Sequence, residues 1–380
     1  MALYTAQALI LGFLLWCFTL SNRRTDVFIG IYVCTWTVGV IFLYWKFGTA
    51  QDIFYSNDQR IQVQMVNWIS LHGIEYSIDG TIGQRYLVTI PAYLFSRCGI
   101  DSLLALKFLQ AIFFVLTYRL VINHFKVENL RFKIRYLVLF TGPIFIFMSL
   151  LGLRDLALAY FALYSIIGQN NHLRVVSWCG LFLLRPHLAV ALAFGRIVRF
   201  AYQRLYPNLN LLFLPLLAVF SFVCGLYAYV IGAHFQSGTG LNFNSLLSVL
   251  TQDGFLRLGA NFAGLQFLIL GSGITELSIV KLLLLRLIFV DTFLVPSLFV
   301  WIVITSSKLR IRSVSIFASF AFFLGLVSNT DFNSSRQNIP FLVLMGVTIA
   351  EHFALRQRDR NKQEKSAVAT LRSDRLLTNT

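Results

Sequence analysis

The feature that most restricts this chain is the recurrence of apolar runs of helical length from residue 3 to residue 354. A bilayer core is about 30 Å thick and offers no water to backbone amides, so a span is either a helix of about 20 mostly apolar residues or a strand of a closed barrel. Residues 103–122 and 209–229 are long and mostly apolar, whereas barrel strands read as alternating segments of about ten residues. Apolar residues make up 57% of the 380 and charged residues 13%, more apolar sequence than one water-soluble core requires. The chain therefore reads as an all-α polytopic membrane protein. Residues 1–354 form a single transmembrane domain, and residues 355–380 form a basic cytoplasmic tail whose polarity predicts disorder.

Residues 3–20 lack a basic leader and a small-residue cleavage site, which predicts a membrane helix and not a signal peptide. The five cysteines include no CxxC pair. They are expected to be small buried thiols, with no disulfide frame or zinc site.

Basic residues orient the helices. Predicted helices over 3–20 and 27–45 are joined by a turn containing Arg23 and Arg24, which the positive-inside rule makes cytoplasmic. The following loop, 46–102, then lies outside, with Asp52, Asp58, Glu75, Asp79 and Asp101 against Lys46, Arg60, Arg85 and Arg97. Two short apolar pieces within it, 61–71 and 86–95, are expected to lie on or dip into the outer leaflet. The helix over 103–122 descends to a basic connection and one over 136–151 climbs back, followed by a short helix through Ile167. Residues 175–184 and 188–194 read as half-length helices meeting at Pro186. Further helices are expected over 210–231, 282–304, 314–326 and 339–354, separated by outer loops 232–280 and 327–338. The first two of the three outer loops are long, and residues 242–270 in the second are a further candidate surface helix. The arrangement has about eleven membrane helices counting the two halves, with the N-terminus outside and the C-terminus cytoplasmic. Nearly all of the net charge of +16 falls on the inner segments, so it is a topology signal and not a nucleic-acid footprint.

Mapped onto this topology, the exceptional polar residues collect on the outer side. Asp58, Arg60, Arg85, Arg154, Asp155 and Arg336 lie in outer loops or at outer helix ends, and Arg185 and His187 flank the proline break. Charge at membrane depth is costly enough to indicate a pocket or an ion pair. Several arginines near one leaflet suit a lipid-borne phosphate or diphosphate, because guanidinium grips phosphate oxygens bidentately and does not titrate. Plainer roles stand beside these. Asp58 and Arg60 could merely solvate a loop, Arg154 and Asp155 could close a helix end, Arg185 could hold the break together, and His187 could satisfy a helix start. Lys107 and Arg119 are expected to snorkel from the ends of their helix. Arg286 and Asp291 read as structural, and Glu351 and His352 as cytoplasm-facing.

An early loop acid (Asp58), the segment Ile90-Pro-Ala-Tyr-Leu-Phe95 and the spanning helix after it resemble the C-type membrane glycosyltransferases. In that family the loop acid follows the first helix, and here it follows the second. Ser149-Leu-Leu-Gly-Leu-Arg154-Asp155, Leu184-Arg-Pro-His187 and Ser335-Arg336-Gln-Asn-Ile-Pro340 also look like bacterial surface-polysaccharide enzymes, including O-antigen polymerases.

The resemblance implies sugar or oligosaccharide transfer from a polyprenyl-phosphate or polyprenyl-diphosphate donor on the outer face of a bacterial inner membrane. Asp58 would activate the acceptor hydroxyl or orient the donor, with His187 a second catalytic candidate. Arg154, Arg185 and Arg336 would neutralise the leaving phosphate, with Arg60, Arg85 and Asp155 in support. No metal ligand set is assigned, which leaves a divalent cation open, and other polysaccharide-assembly proteins are natural partners. The competing class is a transporter or flippase for lipid-linked glycans, in which broken helices and buried charges are equally at home.

Overall fold

In a computed structural model, the described residues are 1–20, 27–48, 58–72, 86–125, 148–205, 213–237, 294–306, 309–327, 338–353 and 355–356. They form twelve helices and no strand. The helix predicted over 136–151, the candidate surface helix over 242–270, most of the first half of that over 282–304, and the tail beyond 356 lie largely or wholly outside them. Arg85, Arg286, Asp291 and Arg336 lie outside them too.

The first five helices are α1 (Ala2–Leu20), α2 (Val27–Phe47), α3 (Asp58–His72), α4 (Tyr86–Arg97) and α5 (Ser102–Phe125). Among the described helices, α1, α2 and α5 are long and apolar enough to cross a bilayer. The core is largely apolar, as in a water-soluble bundle, but the surface is apolar too and some polar side chains are enclosed. Phe13, Val38 and Phe220 are 65%, 67% and 59% exposed, while Lys107, Gln110 and Ser149 are 0% exposed. Large apolar side chains facing outward around buried polar ones suit hydrocarbon as the surrounding solvent.

Lys107 corrects an expectation. Its side chain is fully enclosed, because α5 is packed by α1, α2, α3, α4 and α6 and is the most surrounded of the three long helices. Arg119 does reach a boundary, but it does so by donating to the last carbonyls of α1, at 2.6 Å from Phe18 O and 3.1 Å from Thr19 O. A cation there complements the negative end of the α1 dipole.

The remaining helices are α6 (Asp155–Ile167), α7 (Asn171–Leu184), α8 (Pro186–Leu205), α9 (Phe213–Ser237), α10 (Val295–Thr305), α11 (Arg310–Val327) and α12 (Ile339–Phe353). The half-length helix expected over 188–194 is instead part of the first half of α8, a continuous helix of 20 residues. Pro186 occupies its first position, where a missing N–H costs nothing, and no proline or turn dipeptide interrupts the chain before Leu205. At 13 residues, or about 20 Å at the helical rise, α6 is shorter than a bilayer core. The buried thiols expected from sequence are also corrected. Cys17, Cys34 and Cys179 are exposed on outward helix faces, Cys98 is exposed in the turn after α4, and Cys224 is half-buried.

Helix directions sort the polar residues onto two ends, a near end where α5 begins and a far end where it finishes. Gln7 of α1 donates to Gly99 O and accepts from Asp101 N, while Arg119 meets the close of α1, so α1 and α5 run parallel. The antiparallel course of α2 follows from Tyr4 stacked on Tyr44, with ring centroids 3.7 Å apart. Gly152 abuts Leu106, and Phe113 meets Tyr160 and Phe161, so α6 also runs from near to far. The chain then returns along α7 and descends again along α8.

Phe194 of α8 stacks on Phe322, and Ser315 Oγ donates to Gly195 O, which makes α11 antiparallel to α8. Gly225 of α9 and Gly325 of α11 bring two helix backbones together, since a Cβ at either would stand 2.0 or 2.1 Å from a carbonyl oxygen of the other helix. Arg312 at the start of α11 pairs with Glu351 near the close of α12, and His124 at the close of α5 lies 3.9 Å from the same carboxylate. Glu351 thus ties three far-end segments together.

Candidate functional site

The near end holds the cluster that sequence singles out. Its core is the break between α7 and α8. The residue before a proline is pushed out of the helical region, and Arg185 accordingly has φ −159° and ψ 86°. Its backbone serves both helices: the amide donates to Leu181 O at 2.8 Å, and the carbonyl accepts from Leu188 N and Ala189 N at 3.0 and 3.3 Å. The side chain is only 9% exposed.

Arg154 joins this break to the start of α6. Its Nη1 donates to Leu184 O at 2.8 Å, across 30 residues of sequence. Leu184 is the last residue of α7, so the guanidinium sits against a carbonyl that has no intrahelical donor and against the negative end of that helix. A hydrogen bond to a charged group contributes about 1.5–3 kcal/mol. The helix-closing role is therefore real for this one N–H.

Asp155, 1% exposed, opens α6, where a carboxylate faces the positive end of the helix. His187 lies in the first turn of α8 and is exposed. His187 is two residues from Arg185, and Arg154 bonds the carbonyl of the residue before Arg185, so all three stand at the break. The near end thus joins two arginines, a histidine, an acid and the N-termini of two parallel helices, α6 and α8. Backbone N–H groups and dipole ends of that kind favour an anion.

The other expected residues stand differently. Asp58 is the first residue of α3, with its side chain outside the described part, and Arg60 is exposed on the same helix. Arg85 and Arg336 fall outside the described residues, so neither is placed relative to the cluster. The segment containing α3 and α4 is seated on the near half of α5, with Ser102 Oγ donating to Asn67 Oδ1 at 2.9 Å and Phe95 edge-on to Phe108. Because α4 also touches α7, the first long loop and the broken helix pair belong to one assembly.

A second feature was not anticipated. At the far end of α6, α7, α8 and α11 lies a cavity of about 520 Å³ lined by Arg174, Arg196, Arg199 and Arg312. Each of these arginines reads singly as a topology marker. Their convergence needs the third dimension, because Arg174 and Arg312 come from segments far apart in the chain. The only sequence signal was the recurrence of arginine at 196, 199 and 204, three to five residues apart along one helix.

Among the described residues no group of three or more His, Cys, Asp or Glu side chains is placed to hold a metal ion. Comparison of the chain with family models, with curated proteins and with solved structures returns no match.

Proposed function

We propose that the chain is a membrane glycosyltransferase or glycan polymerase that uses polyprenyl-phosphate- or polyprenyl-diphosphate-linked donors at the near end of the bundle. The observation that carries this reading is the convergence of Arg154, Arg185 and His187 at the start of α6 and at the break between α7 and α8. In this reading the near end faces outward, the far end faces the cytoplasm, and about eleven helices span the inner membrane. The N-terminus is outside and the C-terminal tail inside.

The chemistry follows from charge. As the glycosidic bond to the lipid phosphate breaks, negative charge grows on the leaving oxygen. Fixed guanidinium groups in a poorly hydrated site stabilise that charge without reorganising. Arg154 and Arg185 supply the positive field, with Arg336 and Arg85 assigned to the same face. Asp58 takes the proton of the acceptor hydroxyl or orients the donor, Arg60 and Asp155 support, and His187 is a second candidate for proton transfer. The lipid-linked glycan is the substrate on both sides if the enzyme polymerises, and other assembly proteins would hand it over.

The test is Asp58→Asn, which keeps shape and polarity and removes only the carboxylate. Transfer from purified lipid-linked donor, at matched protein level, should fall by roughly 10² or more. Asp52→Asn and Asp79→Asn, from the same loop, should retain activity. If Asp58→Asn behaves like those two controls, Asp58 is only a solvated loop acid. Movement of intact lipid-linked glycan between leaflets, without any new glycosidic bond, would move the chain to the transporter class.

A further inference from the structure

The far-end cavity stands apart from the glycosyl-transfer reading, which uses only the near end. Arg154 and Ser165 are separated by eleven residues of α6, or about 16 Å at the helical rise. The two regions are therefore distinct, and a ligand in one does not touch the other.

Four guanidinium groups face a volume within the usual range for small-molecule sites, about 300–1,000 Å³. Two are anchored by carbonyls. Arg196 Nη2 donates to Ser165 O at 2.7 Å while its plane lies over Trp178, 4.5 Å from the ring centroid. Arg174 donates to Gly168 O and to Asn171 Oδ1, and its Nε is buried without an acceptor among the described residues. Arg312 pairs with Glu351. Arg199 makes no hydrogen bond or ion pair with any described residue.

Arg174, Arg196 and Arg199 line the one cavity, so their like charges repel one another there. Glu351 is the one carboxylate bound to any of the four among the described residues, and it is engaged by Arg312 and flanked by His124. The serine hydroxyls in the wall cannot offer donors, because Ser165, Ser315 and Ser319 already give their protons to Ala162 O, Gly195 O and Ser315 O. The donors left in the wall are the guanidinium N–H groups, the Trp178 Nε1–H and the Gln203 amide, a set that with its positive charge favours a ligand bringing negative charge.

We propose that this cavity is an anion site for a phosphate group, held by Arg174, Arg196 and Arg199 with Arg312 at its rim. Phosphate offers several oxygens at the spacing of the guanidinium fork, and it offsets the mutual repulsion of the arginines. Two sources present the same chemistry: the headgroup of an anionic phospholipid, which basic pockets between membrane helices bind at the cytoplasmic surface, and a soluble phosphate or diphosphate.

The experiment uses the purified full chain and three variants. Arg199→Gln removes a cation that has no protein partner among the described residues, so it should fold. Arg196→Gln removes one anchored over Trp178. Arg204→Gln is the control, since Arg204 lies on the same helix over Phe200 and outside the cavity lining. In the soluble arm, inorganic pyrophosphate is titrated in neutral detergent and followed by thermal stability. In the lipid arm, phosphatidylglycerol retained through purification is compared with phosphatidylcholine from mixed vesicles.

Wild type and Arg204→Gln should bind alike in at least one arm, and Arg199→Gln and Arg196→Gln should lose about tenfold or more in it. An effect confined to pyrophosphate identifies a soluble ligand, and one confined to phosphatidylglycerol identifies a headgroup. Equal binding by all four proteins in both arms, or none by any, overturns the proposal and leaves the arginines as topology markers.

Discussion

The two ends of the bundle use arginine in opposite ways. At the near end Arg154 and Arg185 are packed into helix termini: one donates to the last carbonyl of α7, and the backbone of the other closes α7 and opens α8. At the far end Arg174, Arg196, Arg199 and Arg312 line an open cavity, and the guanidinium of Arg199 meets no described partner. Near-end cations belong to the architecture and to the proposed chemistry together, so changing them should affect both. At the far end Arg199 has no such bond and is repelled by its neighbours, so removing it should cost little or nothing until an anion is present.

The largest effect expected from this contrast is at the break. Arg185→Lys keeps the charge and loses the planar fork, and transfer activity should fall by roughly 10²-fold with membrane insertion intact. A lysine variant with full activity would reduce Arg185 to charge balance. Next comes Arg154→Gln, which exchanges a charged donor to Leu184 O for a shorter neutral one. It should lower stability by about 1.5–3 kcal/mol, read as a fall in thermal midpoint of the detergent-solubilised chain. An unchanged midpoint would show that the α6–α7 junction does not depend on that bond.

At the far end the effects are smaller. Glu351→Gln breaks the pair with Arg312 and should cost about 1 kcal/mol. It also leaves the cavity more positive, so pyrophosphate or headgroup binding should tighten a few-fold. Weaker binding in this variant would mean that Glu351 positions the site and does not oppose it. Smallest of all, Arg199→Gln without ligand should leave the thermal midpoint within about 0.5 kcal/mol of wild type. A clear loss there would make the far end architectural like the near one, and the contrast between the two ends would disappear.

Much of the helical layout was legible in sequence. The boundaries of α1, α2, α4 and α5 fall within a few residues of those expected, and α3 begins three residues earlier than its apolar pattern suggests. Their signals are local: apolar runs, and glycine and polar turns between them. The α7–α8 break was legible for the same reason, because proline acts on the residue beside it. What followed the break was not. Arginines at 196, 199 and 204 end an apolar run by hydropathy, yet arginine is a good helix former and α8 continues through all three. Lys107 was misplaced because proximity to a helix end suggests an exit to water, and only the helices packed around α5 close that exit.

Sequence by itself determined that the chain is helical, that its helices carry apolar faces fit for lipid, and that basic residues alternate between its connections. These follow from rules acting over one helical turn or one hydrophobic run, since a backbone in hydrocarbon must satisfy its own hydrogen bonds. Only the tertiary structure decided that Arg154 meets the carbonyl of Leu184 and that Arg312 joins Arg174, Arg196 and Arg199 around one cavity. Ser315 bonds Gly195 across 120 residues, and no local period encodes a contact of that separation. It arises from close approach of α8 and α11, where glycine lets two backbones come near enough for side chains from distant segments to share one space.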